Sequence, residues 1–82
     1  MYDVYILQSK TSHRYYAGST QDLANRFDEH NRGESRSTRS GIPWVVVQVE
    51  HFETRAEAMA QEKRIKSRGI ARYLAGVGKQ PG

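Results

Sequence analysis

Five polar side chains stand at positions where the hydrophobic pattern of the chain would favour apolar residues. They are Tyr5, Tyr16, Arg26, His30 and Glu62. Together they supply two phenols, a guanidinium, an imidazole and a carboxylate. Groups of these types move protons, hold anions and bind hard cations. The sequence therefore raises the question of whether the fold brings them together.

Each of the five also has a structural interpretation. The two tyrosines suit core positions with satisfied hydroxyls, and His30 suits a packed interior. Arg26 has the helical spacing of an ion pair with Asp22 or Glu29, and Glu62 has the same relation to Lys66. Taken singly, none of them predicts a function.

Composition excludes several other chemistries. The chain has no cysteine, which removes disulfides, cysteine-ligated zinc and a thiol nucleophile. Its three histidines are scattered, so their spacing does not predict a zinc site. There is no phosphate-binding glycine loop and no G-x-S-x-G elbow. No apolar run approaches the roughly 18 residues of a membrane span, and the first ten residues lack the pattern of a signal peptide. We therefore expect a cytoplasmic protein.

The length indicates a single small domain. The chain has 82 residues, fewer than the roughly 100–200 of an average domain. We predict a domain over residues 1–75 and a flexible tail over residues 76–82, which contain three glycines and a proline. A monomer is the expected state, with a homodimer as the alternative.

The first third of the chain predicts a β-hairpin followed by a helix. Residues 2–8 are rich in β-branched and aromatic residues, and residues 15–17 resume an extended pattern that stops at Gly18. Tyr5 shares one face of the first strand with Leu7.

The helix should begin at a capping box formed by Ser19 and Asp22 and end near Gly33. Its apolar stripe is formed by Leu23, Phe27 and His30. Arg26 lies beside that stripe.

The rest of the chain predicts a loop, a strand and a second helix. Residues 32–41 contain no apolar side chain, so we expect an exposed, basic, mobile loop. The apolar run 44–47 is the best candidate for the central strand. Thr54 and Glu57 form a capping box that opens a helix, which should end at Gly69, with a short helical turn over 70–75. The order β-β-α-β-α predicts an α+β domain, a short and mainly antiparallel sheet flanked by helices.

The positive charge of the chain is concentrated in two segments. The net charge is +4. Residues 32–41 contain three arginines against one glutamate, and residues 63–82 contain six basic residues and no acidic one. Such an imbalance favours a polyanionic partner, with a solvated basic helix face as the alternative. The candidate nucleic-acid-binding residues are Arg32, Arg36, Arg39, Lys63, Lys66, Arg68 and Arg72.

In combination, these residues resemble the GIY-YIG nuclease superfamily, particularly its small stand-alone bacterial members. Asp3-Val4-Tyr5 stands where that family has Gly-Ile-Tyr, and Tyr16-Ala17-Gly18 stands where it has Tyr-Ile-Gly. The two tyrosines are 11 positions apart, and Arg26 follows Tyr16 by ten. The resemblance covers residues 2 to about 68. Asp3 and Ala17 depart from the two motifs.

The resemblance implies roles for the five polar residues. Arg26 corresponds to the catalytic arginine, and His30 completes an R-x-x-x-H spacing seen in several members. Glu62 falls where the family carries its metal-binding glutamate, with Glu57 as the alternative alignment. Tyr5 and Tyr16 are the motif tyrosines, and Gly18 is needed for close packing. One divalent ion, Mg²⁺ or Mn²⁺, is the implied cofactor.

The function implied is metal-dependent hydrolysis of DNA phosphodiester bonds. With no helix-turn-helix or zinc module, substrates would be chosen by structure or strandedness, single-stranded DNA among them, with little sequence preference. Two alternatives remain: a non-catalytic nucleic-acid-binding module, and a domain that interacts with a partner nuclease.

Overall fold

The computed structural model describes residues 1–78, which form one three-stranded sheet with helices on both faces. The strands are β1 (Tyr2–Ser9), β2 (Tyr15–Thr20) and β3 (Trp44–Phe52). The helices are α1 (Leu23–Asn31), α2 (Arg55–Arg68) and α3 (Ile70–Gly78), with a 3₁₀ turn at Arg39–Gly41. Both strand pairings are antiparallel. The predicted α+β class and element order are confirmed.

The strand order is β2-β1-β3, so the prediction that 44–47 would be central is wrong. β1 pairs on both sides, and its residues Val4 to Leu7 are each at most 1% exposed. β3 has one partner in the described chain, and Val45, Val46 and Val47 are each more than a third exposed. An apolar run indicates a strand, but the run alone does not say whether helices cover it.

Alternation along β1 divides the core into two clusters. Val4 and Ile6 face α2 and α3, where Ala17, Ala58 and Ile65 complete an apolar cluster. Tyr5 and Leu7 face α1, together with Trp44, Leu23 and Phe27. We call these the apolar face and the polar face of the sheet. The single strand β1 thus serves two different environments.

The helix boundaries follow side-chain caps. The Thr54–Glu57 capping box is formed, and α2 ends at Gly69, whose φ is +99°. The predicted start of α1 is wrong, because Ser19 belongs to β2 and Asp22 alone caps the helix, its side chain accepting from the Asn25 amide. The sheet continues through Gly18 because it pairs with Tyr5 on β1.

Residues 32–41 are mostly exposed, as predicted, but two of them are buried and anchor the segment to the domain. Thr38 is fully buried, and its carbonyl accepts a hydrogen bond of 2.7 Å from the Trp44 indole. Gly41 lies against the same ring, since a Cβ there would be 2.3 Å from Trp44 Cζ2. Asn31 fixes the start of β3 by bonding both backbone polar groups of Trp44. Trp44 thus anchors residues 32–41 through one hydrogen bond and through the contact of its ring with Gly41.

At the C-terminal end, α3 runs from Ile70 to Gly78 and is longer than the short helical turn predicted over 70–75. Residues 79–82 of the predicted tail lie outside the described residues. None of the helices within 1–78 has the length and hydrophobicity needed to cross a membrane.

Candidate active site

The two motif tyrosines meet because β1 and β2 are neighbours in the sheet. Tyr5 pairs with Gly18, and a Cβ on Gly18 would lie 2.7 Å from the Tyr5 hydroxyl and 2.9 Å from Cζ. Only glycine leaves room for the Tyr5 ring to lie over β2. Tyr16 lies beside it, with 6.3 Å between the two ring centroids. The hairpin therefore places two phenols side by side.

His30 reaches the same point from the last turn of α1. It is fully buried, and its Nε2 lies 3.0 Å from the Tyr5 hydroxyl. Its ring meets that of Tyr16 edge-on, at a centroid distance of 4.9 Å. On its other side, Nδ1 lies 2.7 Å from Thr38 Oγ1. Burial lowers the pKa of His30, and the charge of Arg26 lowers it further, so the imidazole is neutral at pH 7.

Arg26 lies one helical turn before His30 and closes the cluster. Its Nη1 donates to Glu29 at 2.9 Å. That carboxylate, and then the Tyr5 hydroxyl, raise the pKa of Arg26 against the effect of burial. The ion pair predicted from spacing is thus formed, and it leaves the remaining guanidinium donors for other partners.

Burial dominates the chemistry of Tyr5. Desolvation and the neighbouring Tyr16 raise its pKa to about 12, although Arg26 acts in the opposite direction. The negative charge of Glu62 also raises the pKa of Tyr5, which places this carboxylate within electrostatic reach of the tyrosine.

Glu62 lies on α2, the helix that packs on the apolar face. Its side chain is 22% exposed and accepts from Lys66 Nζ at 2.7 Å, as the helical spacing predicted. The alternative, Glu57, is occupied by the capping box with Thr54 and takes no part in the cluster. Within residues 1–78, no group of three or more histidine or acidic side chains is arranged to hold a metal.

Asp3 extends the polar face by one step along β1. Its carboxylate pairs with the His51 ring on β3 at 2.5 Å. The carboxylate that departs from the family motif is therefore paired across the sheet.

The candidate nucleic-acid-binding residues all have exposed side chains, on two separate segments. Arg32, Arg36 and Arg39 follow α1, where Arg32 pairs with Glu34 and Arg39 donates to the Gly33 carbonyl. The others are on α2 and α3: Lys63, Lys66, Arg68 and Arg72.

Thr38 is the site neighbour that the sequence did not reveal. It belongs to a segment without apolar residues or periodicity, which predicted an exposed loop. The nearest signal in the sequence was the proximity of Trp44, a large side chain that needs both cover and a hydrogen-bond acceptor.

Comparisons with known proteins find similar domains that span most of this chain. The GIY-YIG catalytic domain family matches residues 1–73. A UPF0213 protein of Halobacterium salinarum is 37% identical over 67 residues, covering 80% of this chain and 86% of that protein. The solution structure of a UPF0213 protein from Bacillus halodurans superimposes with a TM-score of 0.59 at 30% identity, covering 100% of this chain and 88% of that one.

A second kind of relative is much longer. The structure-specific endonuclease subunit SLX1 of Meyerozyma guilliermondii is 38% identical over 84 residues, which cover 94% of this chain but 28% of that protein. The family match spans both sheet faces and every residue of the tyrosine cluster. By its sequence and its fold, the chain belongs to the GIY-YIG family of nuclease domains.

Proposed function

We propose that this protein is a metal-dependent endonuclease that hydrolyses DNA phosphodiester bonds and selects its substrate by structure or strandedness. The observation that supports this most is the convergence of Tyr5, Tyr16, Arg26 and His30 on one face of the sheet, inside a nuclease-family domain. Four such groups, contributed by β1, β2 and α1, fit proton transfer and phosphate binding at one point.

Arg26 is the proposed phosphate clamp. Its planar guanidinium can bond one or two non-bridging oxygens at once, which a lysine cannot do. The side chain is 35% exposed, so a phosphate can reach it while Glu29 continues to orient it. The negative charge that develops on the phosphate during attack would then meet a fixed cation.

Tyr5 and His30 are the proposed path for the proton of the attacking water. With a pKa of about 12, Tyr5 is a phenol at neutral pH, and only about one molecule in 10⁵ carries a phenolate. Tyr5 therefore cannot act as a standing base. It can accept the water proton only as it passes its own proton to His30, which is neutral and lies 3.0 Å away.

Tyr16 and Glu62 complete the proposed site. Tyr16 borders the Tyr5 and His30 rings and would bond the phosphate or the water. Glu62 fits a hard cation such as Mg²⁺ or Mn²⁺, because such ions accept a single partly exposed carboxylate with water and substrate oxygens as the other ligands. When bound, the ion would supply positive charge for the phosphate and the leaving oxygen. The ion pair between Glu62 and Lys66 is partly exposed and has i,i+4 helical spacing. Pairs of this kind contribute only about 0.3–0.5 kcal/mol, so a metal ion can displace Lys66.

The exposed arginines and lysines would hold the DNA backbone. Contacts of this kind position a nucleic acid without reading its sequence. Binding should therefore weaken steeply with added salt.

Cleavage of labelled single-stranded, duplex, flap and junction DNA with Mg²⁺ or Mn²⁺ tests the proposal. Arg26→Ala and Glu62→Ala should each lose at least about 100-fold in rate. Arg55→Ala and Glu53→Ala are matched controls, since each removes the same charge at an exposed position outside the cluster, and they should cut like the wild type.

Circular dichroism would establish that each variant is folded. Metal-independent binding without cleavage would overturn the proposal in favour of a nucleic-acid-binding module. An absence of both binding and cleavage would favour a partner-interaction domain. Cleavage that persists in both variants would mean that the site has been assigned to the wrong residues.

A further inference from the structure

The buried histidine of the site has a defined partner on each ring nitrogen. Nε2 lies 3.0 Å from the Tyr5 hydroxyl, and Nδ1 lies 2.7 Å from the hydroxyl of Thr38. Both His30 and Thr38 are completely buried. A neutral imidazole carries one proton, so one nitrogen donates and the other accepts. Which nitrogen carries the proton decides whether Tyr5 can give its own proton to His30.

The surroundings of Thr38 favour one of the two arrangements. Its Oγ1 lies 3.4 Å from the carbonyl oxygen of Ser35, which can only accept a hydrogen bond. If the threonine hydroxyl donates to Ser35, its oxygen is free to accept from Nδ1–H of His30. Nε2 is then the acceptor, facing Tyr5.

The surroundings of Tyr5 favour the same arrangement. Arg26 has donors only, and its nearby guanidinium lowers the pKa of the Tyr5 phenol. The guanidinium can only donate toward the Tyr5 oxygen, so the Tyr5 proton needs an acceptor elsewhere, and Nε2 of His30 lies 3.0 Å from that oxygen. In the opposite tautomer, Nε2–H would donate to Tyr5, and within residues 1–78 the Tyr5 hydroxyl has no other hydrogen-bond partner to accept its proton.

Thr38 is held in place by groups outside the site. The Trp44 indole donates to its carbonyl at 2.7 Å, and so does the Gly41 amide at 3.1 Å. Its own amide donates to the Ser35 carbonyl at 3.2 Å. These hydrogen bonds hold the Thr38 hydroxyl beside Nδ1 of His30.

We infer that Thr38 is a positioning residue, whose hydroxyl holds His30 in the Nδ1–H tautomer and keeps Nε2 ready to receive the proton of Tyr5. The catalytic consequence rests on the proposed nuclease function, whereas the tautomer does not. In that reaction the water O–H breaks and its proton joins the Tyr5 oxygen. The Tyr5 proton moves to Nε2, and the hydroxide oxygen bonds to phosphorus as the bond between phosphorus and the leaving oxygen breaks. The leaving oxygen takes a proton from solvent, and His30 then returns its extra proton to solvent.

The tautomer can be measured without any substrate. Nitrogen NMR of ¹⁵N-histidine-labelled protein should show Nδ1 protonated and Nε2 unprotonated at pH 7.5, with His30 assigned by its disappearance in His30→Asn. His13 and His51 are exposed and serve as internal references. Protonation at Nε2 in the wild type would overturn the inference and leave the nuclease proposal standing.

Two substitutions separate the hydroxyl of Thr38 from its bulk. Thr38→Val keeps the shape and removes the hydroxyl, and Thr38→Ser keeps the hydroxyl. We expect Thr38→Val to mix the two tautomers and to lower kcat about 10- to 100-fold with little change in KM. Thr38→Ser should retain both the tautomer and most of kcat, and Thr11→Val, in the exposed hairpin turn, should behave like the wild type.

The outcomes of this experiment are separable from those of the cleavage assay. If Thr38→Val keeps the wild-type tautomer, or keeps its kcat while cleavage by the wild type is intact, Thr38 serves packing alone and the inference fails. If Thr38→Val does not fold, Thr38→Ser and the wild-type spectrum still decide it. If the wild type cuts no DNA, the nuclease proposal fails and the tautomer measurement stands by itself.

Discussion

The two faces of the sheet bury different kinds of side chain along the same strand, β1. On the apolar face, Val4 and Ile6 contact aliphatic and aromatic side chains of α2 and α3. On the polar face, Tyr5 lies among Tyr16, His30 and Arg26. Burying polar groups costs free energy unless every one is hydrogen-bonded. Within residues 1–78 no buried side-chain nitrogen or oxygen lacks a partner.

The comparison shows how a domain this small can hold a buried polar site. One face of β1 supplies hydrophobic stabilisation, and the other carries the polar groups of the proposed active site. Stability and activity should therefore respond differently to substitutions only one residue apart. The predictions below test that separation.

Tyr5→Phe should have the largest effect, on activity. It removes the phenol that links the water to His30, while the ring and its packing over Gly18 remain. We expect cleavage to fall about 10²- to 10⁴-fold, with a stability loss of about 1–3 kcal/mol because His30 Nε2 loses its partner. Single-turnover cleavage and urea unfolding measure the two. Tyr15→Phe, on the opposite side of β2, is the control, and unchanged cleavage in Tyr5→Phe would contradict the proposed proton path.

Ile6→Ala, the next residue along β1, should show the reverse pattern. Ile6 is fully buried in the apolar face, so its truncation should cost about 2–5 kcal/mol of unfolding free energy. The rate per folded molecule should stay within about twofold of the wild type when measured well below the melting temperature. Urea unfolding and cleavage with folded-fraction correction test this. A large loss of rate in fully folded Ile6→Ala would show that the two faces are coupled.

The sequence was sufficient where local patterns determine structure. The capping box at Thr54 and Glu57 located the start of α2, and the spacing of Tyr5, Tyr16, Arg26 and His30 identified residues that the fold does bring together. Their catalytic roles remain predictions. Local patterns did not show that 44–47 forms an edge strand, because strand order depends on pairing between distant segments.

Thr38 shows the same limit at the scale of one side chain. Threonine in a polar, arginine-rich segment has every local feature of the surface. Its burial comes from Trp44 and His30, which lie six and eight residues away in the chain and belong to different elements. Only the tertiary structure places that hydroxyl against an imidazole.

The pH dependence of stability should also distinguish the two faces. Burial and Arg26 lower the pKa of His30 in the folded chain, whereas an unfolded histidine titrates near about 6.5. Below that pH the unfolded chain takes up the proton first, so stability should fall as the pH drops, until the folded-state pKa is passed. Other groups facing the ring are Tyr5, Tyr16 and Glu29.

Urea unfolding of wild type and His30→Gln between pH 7.5 and 5 measures this contribution. The difference between the two proteins cancels the exposed histidines, and it should shrink as the pH falls, by at most about 1.4 kcal/mol per unit. Ile6→Ala should run parallel to the wild type, because Ile6 carries no titratable group and packs on the face of the sheet opposite His30. A constant difference between wild type and His30→Gln would mean that burial does not perturb this histidine.

The smallest effect should come from Lys66→Ala, which releases the Glu62 carboxylate on α2. The Lys66–Glu62 pair is partly exposed, so its loss should change the unfolding free energy by less than about 1 kcal/mol. Because the free carboxylate no longer has to exchange a cation, the affinity for Mn²⁺ should rise, as measured by calorimetry without DNA. Lys63→Ala removes the same charge from the same helix and, within residues 1–78, breaks no ion pair. Equal Mn²⁺ affinities in the two variants would show that the ammonium group of Lys66 does not compete with the ion, and Mn²⁺ binding that survives Glu62→Ala would move the metal to other ligands.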